Sequence, residues 1–269
     1  MSKNKNKLTG RERLNITNVW IDPVDTGEAA RVIKAIVEER RRGEGGDGGG
    51  GTGGVAQICT PNAEFMMCAQ GDRQFMRILN DADLVVADGA GVVLAARLLG
   101  YGRIARAPGY DLAKALVSNP SEFPYSFYFL GGKPGIAEKA AANILYEYPG
   151  VNFTGWHDGY FKDEEEPLII DEINQSGAEI LFVALGSPKA EKFIYRNRHR
   201  LKAFVCMGVG GTIDIFAGEK KSAPPFFRSH GLEWLYRLYC EPWRAKRMLR
   251  LPQYVLYTVW WRMTGRKAK

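Results

Sequence analysis

Residues 179–194 read EILFVALGSPKAEKFI: a short apolar run, a Gly-Ser-Pro turn and a helix-like segment. A brief apolar run bounded by turn residues reads as a strand, and the helix after it completes one βα unit. The same unit recurs through VAQIC (55–59), LVVA (84–87), SFYFL (126–130), VNFTG (151–155) and FVCMG (204–208). Strands alternating with helices specify an α/β fold with a Rossmann-like, mostly parallel sheet flanked by helices. Upstream, LNITNVWI (14–21) alternates as a strand does, and DTGEAARVIKAIVEERRR (25–42) runs from acidic to basic as an amphipathic helix.

In such sheets ligands bind beyond the carboxyl ends of the strands, so the residues directly after each run carry the chemistry. They are Thr60-Pro61-Asn62, Asp88-Gly89, Gly131-Gly132, His157-Asp158, Gly186-Ser187-Pro188-Lys189 and Gly208-Val209-Gly210-Gly211, expected to rim one cleft. Asp88 precedes Gly-Ala-Gly, where a ligand can approach the backbone while the carboxylate acts as a general base. It would serve equally well as a helix N-cap. Gly131 and Gly132 precede the helical IAEKAAANILYEY, whose free N–H groups and dipole favour a diphosphate, although a ligand-free turn explains them as well. Lys189 can neutralise a diphosphate leaving group, with Glu191 nearby, or simply be a solvated lysine at a helix start. Gly208 and Gly210 either admit a nucleotide or make a tight turn. The turn Gly131-Gly132-Lys133-Pro134-Gly135 is not the full GxGxxG.

The 269-residue chain suits one α/β domain with an appendage or two small domains. No window reaches the roughly 20 consecutive apolar residues of a spanning helix. The N-terminal MSKNKNKLTGRER is polar, so residues 1–13 are expected to be disordered, with neither a span nor a secretion signal. Four scattered cysteines form no CxxC pair, three histidines lack ligand spacing, and Asp81-Ala82-Asp83 lies before its strand rather than after it. No metal and no cofactor is expected. GEGGDGGGGTGG (43–54) holds nine glycines but lacks the Gly-Lys-Ser/Thr of a phosphate loop, so it reads as a flexible connector.

The net charge of +7 is concentrated at one end: residues 228–269 hold ten Lys/Arg against Glu233 and Glu241, a local +8 that leaves −1 for the remainder. An anionic partner is therefore engaged by the C-terminal piece. From residue 218 prolines separate helix-sized segments and four of the six tryptophans appear. This divides an α/β catalytic domain (14–217) from a basic, aromatic, helical appendage (218–269). In YVLYTVWWRM, Tyr254, Thr258, Arg262 and then Arg266 recur every four residues, a narrow polar stripe opposite a broad apolar face that suits a helix lying in a bilayer interface. Arg237, Arg244, Lys246, Arg247 and Arg250 would meet anionic headgroups at about 1 kcal/mol each. Aromatics packed on the core, or RNA bound by basic residues interleaved with aromatics, are the other readings.

The strings TPNAEF, ADGAGVVLAARLLG, RAPGYDL, LGGKPGIAEKAA, GWHDGYF, LGSPKAEKFI, GVGGTIDIFAG and GLEWLYRLYCEPWR, in this order over roughly residues 15 to 250, resemble the WecG/TagA/CpsF glycosyltransferases, glycosyltransferase family 26, and look nearest to the TagA branch. The resemblance implies a metal-independent, inverting transfer of N-acetylmannosamine from its UDP donor to N-acetylglucosamine on undecaprenyl diphosphate. That is an early step of wall teichoic acid linkage-unit synthesis, at the inner face of the cell membrane. It implies Asp88 as catalytic base, Thr60 and Asn62 in the active-site turn and Arg106 as a cleft arginine. Arg237, Arg244 and Arg247 would reach the lipid diphosphate, and a homo-oligomer off the membrane would yield to membrane binding. One departure stands out: the family's Pro-Lys-Gln-Glu is here Pro188-Lys189-Ala190-Glu191, which puts the identity of the sugar in question.

Rival classes make separate predictions. A nicotinamide-dependent oxidoreductase on a Rossmann-like sheet would bind NAD rather than UDP and leaves the tail unexplained. A basic nucleic-acid-binding module would show salt-sensitive RNA affinity, lost with residues 228–269. The expected partners are instead the UDP-sugar, the polyprenyl-diphosphate acceptor and an anionic membrane surface, with no nucleic acid.

Overall fold

The computed structural model describes residues 5–43, 54–224, 226–227, 231–242 and 245–265. In chain order its elements begin with β1 (Leu14–Ile16), β2 (Val19–Ile21), α1 (Thr26–Arg41), β3 (Ala56–Cys59), α2 (Ala63–Gly71), α3 (Arg73–Asp81), β4 (Leu84–Val85), α4 (Ala90–Leu98) and α5 (Gly109–Val117). They continue with β5 (Ser126–Gly131), α6 (Ile136–Glu147), β6 (Asn152–His157), α7 (Glu166–Gln175), β7 (Ile180–Ala184), α8 (Lys189–Asn197), β8 (Val205–Gly208) and α9 (Thr212–Phe216). The C-terminal helices are α10 (Glu233–Cys240), α11 (Ala245–Met248) and α12 (Arg250–Met263). Each of the six apolar runs thus contains a strand. The chain divides into two units, residues 26–59 with 109–221, and residues 1–25 with 60–108 and 222–269.

In the first of these units, strands pair in the order β3-β8-β7-β5-β6 and every neighbouring pair is parallel, as βα repeats require. Alternation along β5 sends Tyr128 and Leu130 to one face, where Leu181 and Val183 of β7, Ile169 and Ile173 of α7 and Phe193 of α8 complete a buried cluster. Phe127 and Phe129 point to the other face, at 5.6 and 5.7 Å from Phe182, with Phe153 4.7 Å and Phe216 of α9 6.3 Å from Phe129. Each such side chain withdrawn from water contributes about 1.5–3 kcal/mol. The strands therefore end together at their carboxyl edge.

In the other unit, residues 14–21 depart from the expected single strand. Thr17 and Asn18 both take positive φ, 49° and 70°, and reverse the chain into an antiparallel β1-β2 hairpin. The buried Thr17 is held there by Gln70 Nε2 donating to its carbonyl at 2.8 Å and by a hydroxyl contact to Tyr254 at 3.3 Å. The expectation of disorder over 1–13 is also corrected from residue 5 onward. Buried Asn6 donates to Asp22 Oδ1 at 2.7 Å and to the Asp83 carbonyl at 3.0 Å, and Arg13 pairs with Asp22 at 3.1 Å.

The segment after residue 222 is part of this unit rather than a separate appendage. Helix α12 packs against α2 and α4. The expected polar stripe is divided: Tyr254 and Thr258 are fully buried, with Thr258 Oγ1 donating to the Tyr254 carbonyl at 2.8 Å, whereas Arg262 is exposed and donates to the Leu98 carbonyl at the end of α4 at 2.6 Å. Outward lie Leu256 at 70 % exposure, Trp260 at 44 % and Met263 at 80 %. The helix is amphipathic as the sequence indicates, but Tyr254 and Thr258 lie on its buried side. No helix among the described residues is long and apolar enough to cross a membrane.

Gly131 marks how closely β5 and β7 approach: at φ 131°, a Cβ there would sit 2.5 Å from the Ala184 carbonyl oxygen. Gly131→Ala combines that overlap with an unfavourable backbone angle and is expected to cost roughly 2–4 kcal/mol, read by urea unfolding.

Candidate active site

Each unit carries a pocket of its own, and strand-end turns contribute to both. In the unit containing α2, α4 and the C-terminal helices, the pocket is lined by Asn62, Glu64, Asp88, Arg106, Glu233 and Arg250, with Trp234, Met248 and Leu251 as apolar wall. Asp88 follows β4, and its backbone N–H donates to the Pro61 carbonyl at 3.0 Å, which ties the two strand-end turns together. Gly89, at φ 83°, takes the N-cap position of α4. Asp88 is thus not the cap, and its half-buried carboxylate is a lining group.

Asn62 does cap a helix: its Oδ1 accepts from the Glu64 and Phe65 backbone N–H groups at 2.9 and 3.1 Å, opening α2. Thr60 is buried and does not line the pocket. Arg106 does, and its Nη1 donates to Glu233 Oε1 at 2.9 Å. The pocket therefore combines three carboxylates and two guanidinium groups against an apolar wall. Glu64, Glu233 and Trp234 were not singled out from sequence. Arg244 lies outside the described residues, as do the side chains of Arg237 and Arg247.

In the unit built on the five parallel strands, the pocket sits where the sheet rule places it. Its lining comes from Gly132 and Lys133 after β5, Tyr160 and Lys162 after β6, Gly186 and Lys189 after β7, and Asp214 in α9 after β8. Three lysines give it a positive rim. Lys189 Nζ also lies 5.7 Å from the Phe161 ring, and Asp214 pairs with Lys220 at 2.6 Å. Tyr160, 70 % exposed, offers a ring face at the opening. Sequence reading found Gly132 and Lys189 but not Tyr160, Lys162 or Asp214, although all three follow strand ends.

Three glycines serve packing or turns instead. Gly131 accommodates Ala184, and the exposed Gly210, at φ 51°, lines neither pocket. At Gly208 the vacant Cβ space holds the Glu191 carboxyl, whose Oε1 would lie 2.4 Å from that atom. Asp81 ends α3, as a helix-ending turn would have it. Ala190 is buried in the cluster on the sheet and lines neither pocket.

Glu191 is itself buried, and its Oε2 has no hydrogen-bond partner. Burial pushes its carboxyl up to about 7, against hydrogen bonds from its own backbone N–H and from Ser187. The folded form thus holds the proton more tightly than the unfolded one, and stability present below pH 4.5 is lost as pH rises towards 7. Glu166, held below its ordinary value mainly by the hydrogen bond from Arg196, acts in the opposite sense at lower pH.

Residues 14–268 match the Glycosyl transferase WecG/TagA/CpsF family, and the chain belongs to it. It is a glycosyltransferase, and the oxidoreductase alternative finds no support. It is 36 % identical over 201 residues to the N-acetylglucosaminyldiphosphoundecaprenol N-acetyl-beta-D-mannosaminyltransferase of Bacillus subtilis (strain 168), covering 75 % of this chain and 78 % of that protein. The protein of the same name from Bacillus spizizenii (strain ATCC 23059 / NRRL B-14472 / W23) is 36 % identical over 200 residues, covering 74 % of this chain and 77 % of its own length.

Glu191→Gln removes the buried titration and is expected to flatten the fall in unfolding free energy between pH 5 and 7 by roughly 2–3 kcal/mol, measured by denaturant titration at both pH values.

Proposed function

We propose that this enzyme transfers N-acetylmannosamine, or a related sugar, from a UDP donor to N-acetylglucosaminyl-diphospho-undecaprenol, in wall teichoic acid or surface polysaccharide synthesis. The observation that carries this is one pocket holding Asp88, Arg106 and Arg250 in a chain whose curated relatives are named for that transfer. The acceptor half of the reaction falls to that pocket. Asp88 takes the proton of the acceptor hydroxyl as its oxygen bonds to the anomeric carbon, and the bond from that carbon to UDP breaks with inversion. Arg106 and Arg250 meet the acceptor's diphosphate, joined by Arg237, Arg244 and Arg247, and Asn62 braces the turn beside the base.

The pocket on the parallel sheet is suited to the UDP moiety of the donor. Lys133, Lys162 and Lys189 offset the charge of UDP, which grows as the sugar leaves, and Tyr160 presents a ring to the base. Cationic side chains do this work, and the scheme uses no metal. Position 190 does not line the pocket, so the alanine there removes no lining group, and N-acetylmannosamine remains the first donor to test.

The outward face of α12 supports an inner-membrane location. An apolar strip of Leu256, Trp260 and Met263 beside a basic segment suits the boundary between headgroups and acyl chains, where the acceptor's diphosphate lies. Self-association in the absence of membrane would cover the same strip.

A panel of UDP-sugars offered with a short-chain N-acetylglucosaminyl-diphosphate lipid is expected to give a product one N-acetylhexosamine heavier. Asp88→Asn should lower kcat by roughly 10²–10⁴-fold while UDP affinity stays unchanged. Near-normal turnover by this variant would remove Asp88 from the base role. Leu256→Glu with Met263→Glu, both on the exposed face, should abolish sedimentation with anionic vesicles without lowering Tm. Unaltered sedimentation would place the membrane contact elsewhere.

A further inference from the structure

Two contacts seat the C-terminal segment on the first turn of α4, and both depend on glycine. A Cβ at Gly231, which has φ 69°, would come within 2.9 Å of Ala90 Cβ. One at Gly91 would come within 2.7 Å of Leu251 Cδ1 and 2.8 Å of Ala63 Cβ. Ala90 and Gly91 follow closely on Asp88, so the segment bears on the turn that presents the base.

Between these anchors in sequence, Glu233 opens α10 and reaches Arg106 across the pocket wall. The ion pair is 2.9 Å long, with the arginine side chain 23 % and the glutamate 19 % exposed. A guanidinium carries five N–H donors in a fixed fork, so a carboxylate on one nitrogen restrains where the fork points. Withdrawing Arg106 this far from water costs solvation, which the partner offsets.

We infer that Glu233 is a positioning residue: it holds the Arg106 guanidinium in the pocket of Asp88 and ties the start of α10 to that pocket. This rests on the transferase reading above. Glu233 touches no reacting atom, so its loss falls on acceptor recognition rather than on the donor.

The full-length chain is tested as wild type, Glu233→Gln and Glu233→Asp, with steady-state kinetics for each substrate, UDP binding, and hydrogen exchange of residues 250–263. In Glu233→Gln the acceptor KM should rise by about tenfold or more while donor KM and UDP affinity hold, since about 1.4 kcal/mol of lost positioning is tenfold in binding. Glu233→Asp, which keeps the charge one methylene short, should fall between the two. Amides of 250–263 should exchange faster in Glu233→Gln. Equal acceptor KM in all three proteins, or parallel changes in both KM values, overturns the proposal. If the wild type turns over no acceptor, the transferase reading fails separately, and unchanged exchange in Glu233→Gln then overturns the holding role by itself.

Discussion

Position 91 has room for no side chain. Helices α2, α4 and α12 converge there, with Ala63 and Leu251 already in contact distance of where a Cβ would stand. Interiors packed to crystal-like density admit such a convergence only at the smallest residue. The groups of the first pocket are set by this point. Asn62 directly precedes Ala63, Arg250 directly precedes Leu251, and Asp88 lies three residues before Gly91. Three side chains from distant parts of the sequence are thus brought to one pocket because their neighbours pack together.

The unit on the parallel sheet follows a different constraint. Parallel strands share a direction, so their carboxyl ends and the turns beyond them gather at one edge, and the lysines, Tyr160 and Asp214 arrive there by topology. The glycines in these turns have mixed duties. Gly132 lines the pocket, Gly131 makes room for Ala184, and Gly208 makes room for Glu191. A glycine in sequence announces close approach but does not say what approaches.

That distinction accounts for how much could be read from the amino-acid sequence. Strand runs were legible because period and length are local properties, and Asp88, Arg106 and Lys189 were legible as polar residues after such runs or, for Arg106, through the family resemblance. The hairpin at Thr17 was not, since threonine at positive φ depends on Gln70 and Tyr254 from remote segments to hold it. Nor was Glu233, whose significance comes from an arginine more than a hundred residues away. The stripe of Tyr254, Thr258 and Arg262 was found at the correct spacing, but Tyr254 and Thr258 face inward while Arg262 is exposed. Helical periodicity identifies two faces, while which one is inner shows only in the packing on α2 and α4 and the contact of Tyr254 with Thr17.

The inverted helix also changes how a protein chemist should handle this chain. The usual practice for improving solubility is to draw a helical wheel, take the polar side as surface, and repack the apolar side as core. Applied to residues 250–263, that practice would redesign the face that meets solvent as if it were interior, and treat Tyr254 and Thr258 as freely replaceable when both are fully buried. Crystallisation variants, fluorescent labels and affinity tags in this region belong on the greasy side, at positions such as Leu256 and Met263. There they replace exposed apolar side chains and leave the fold beneath intact.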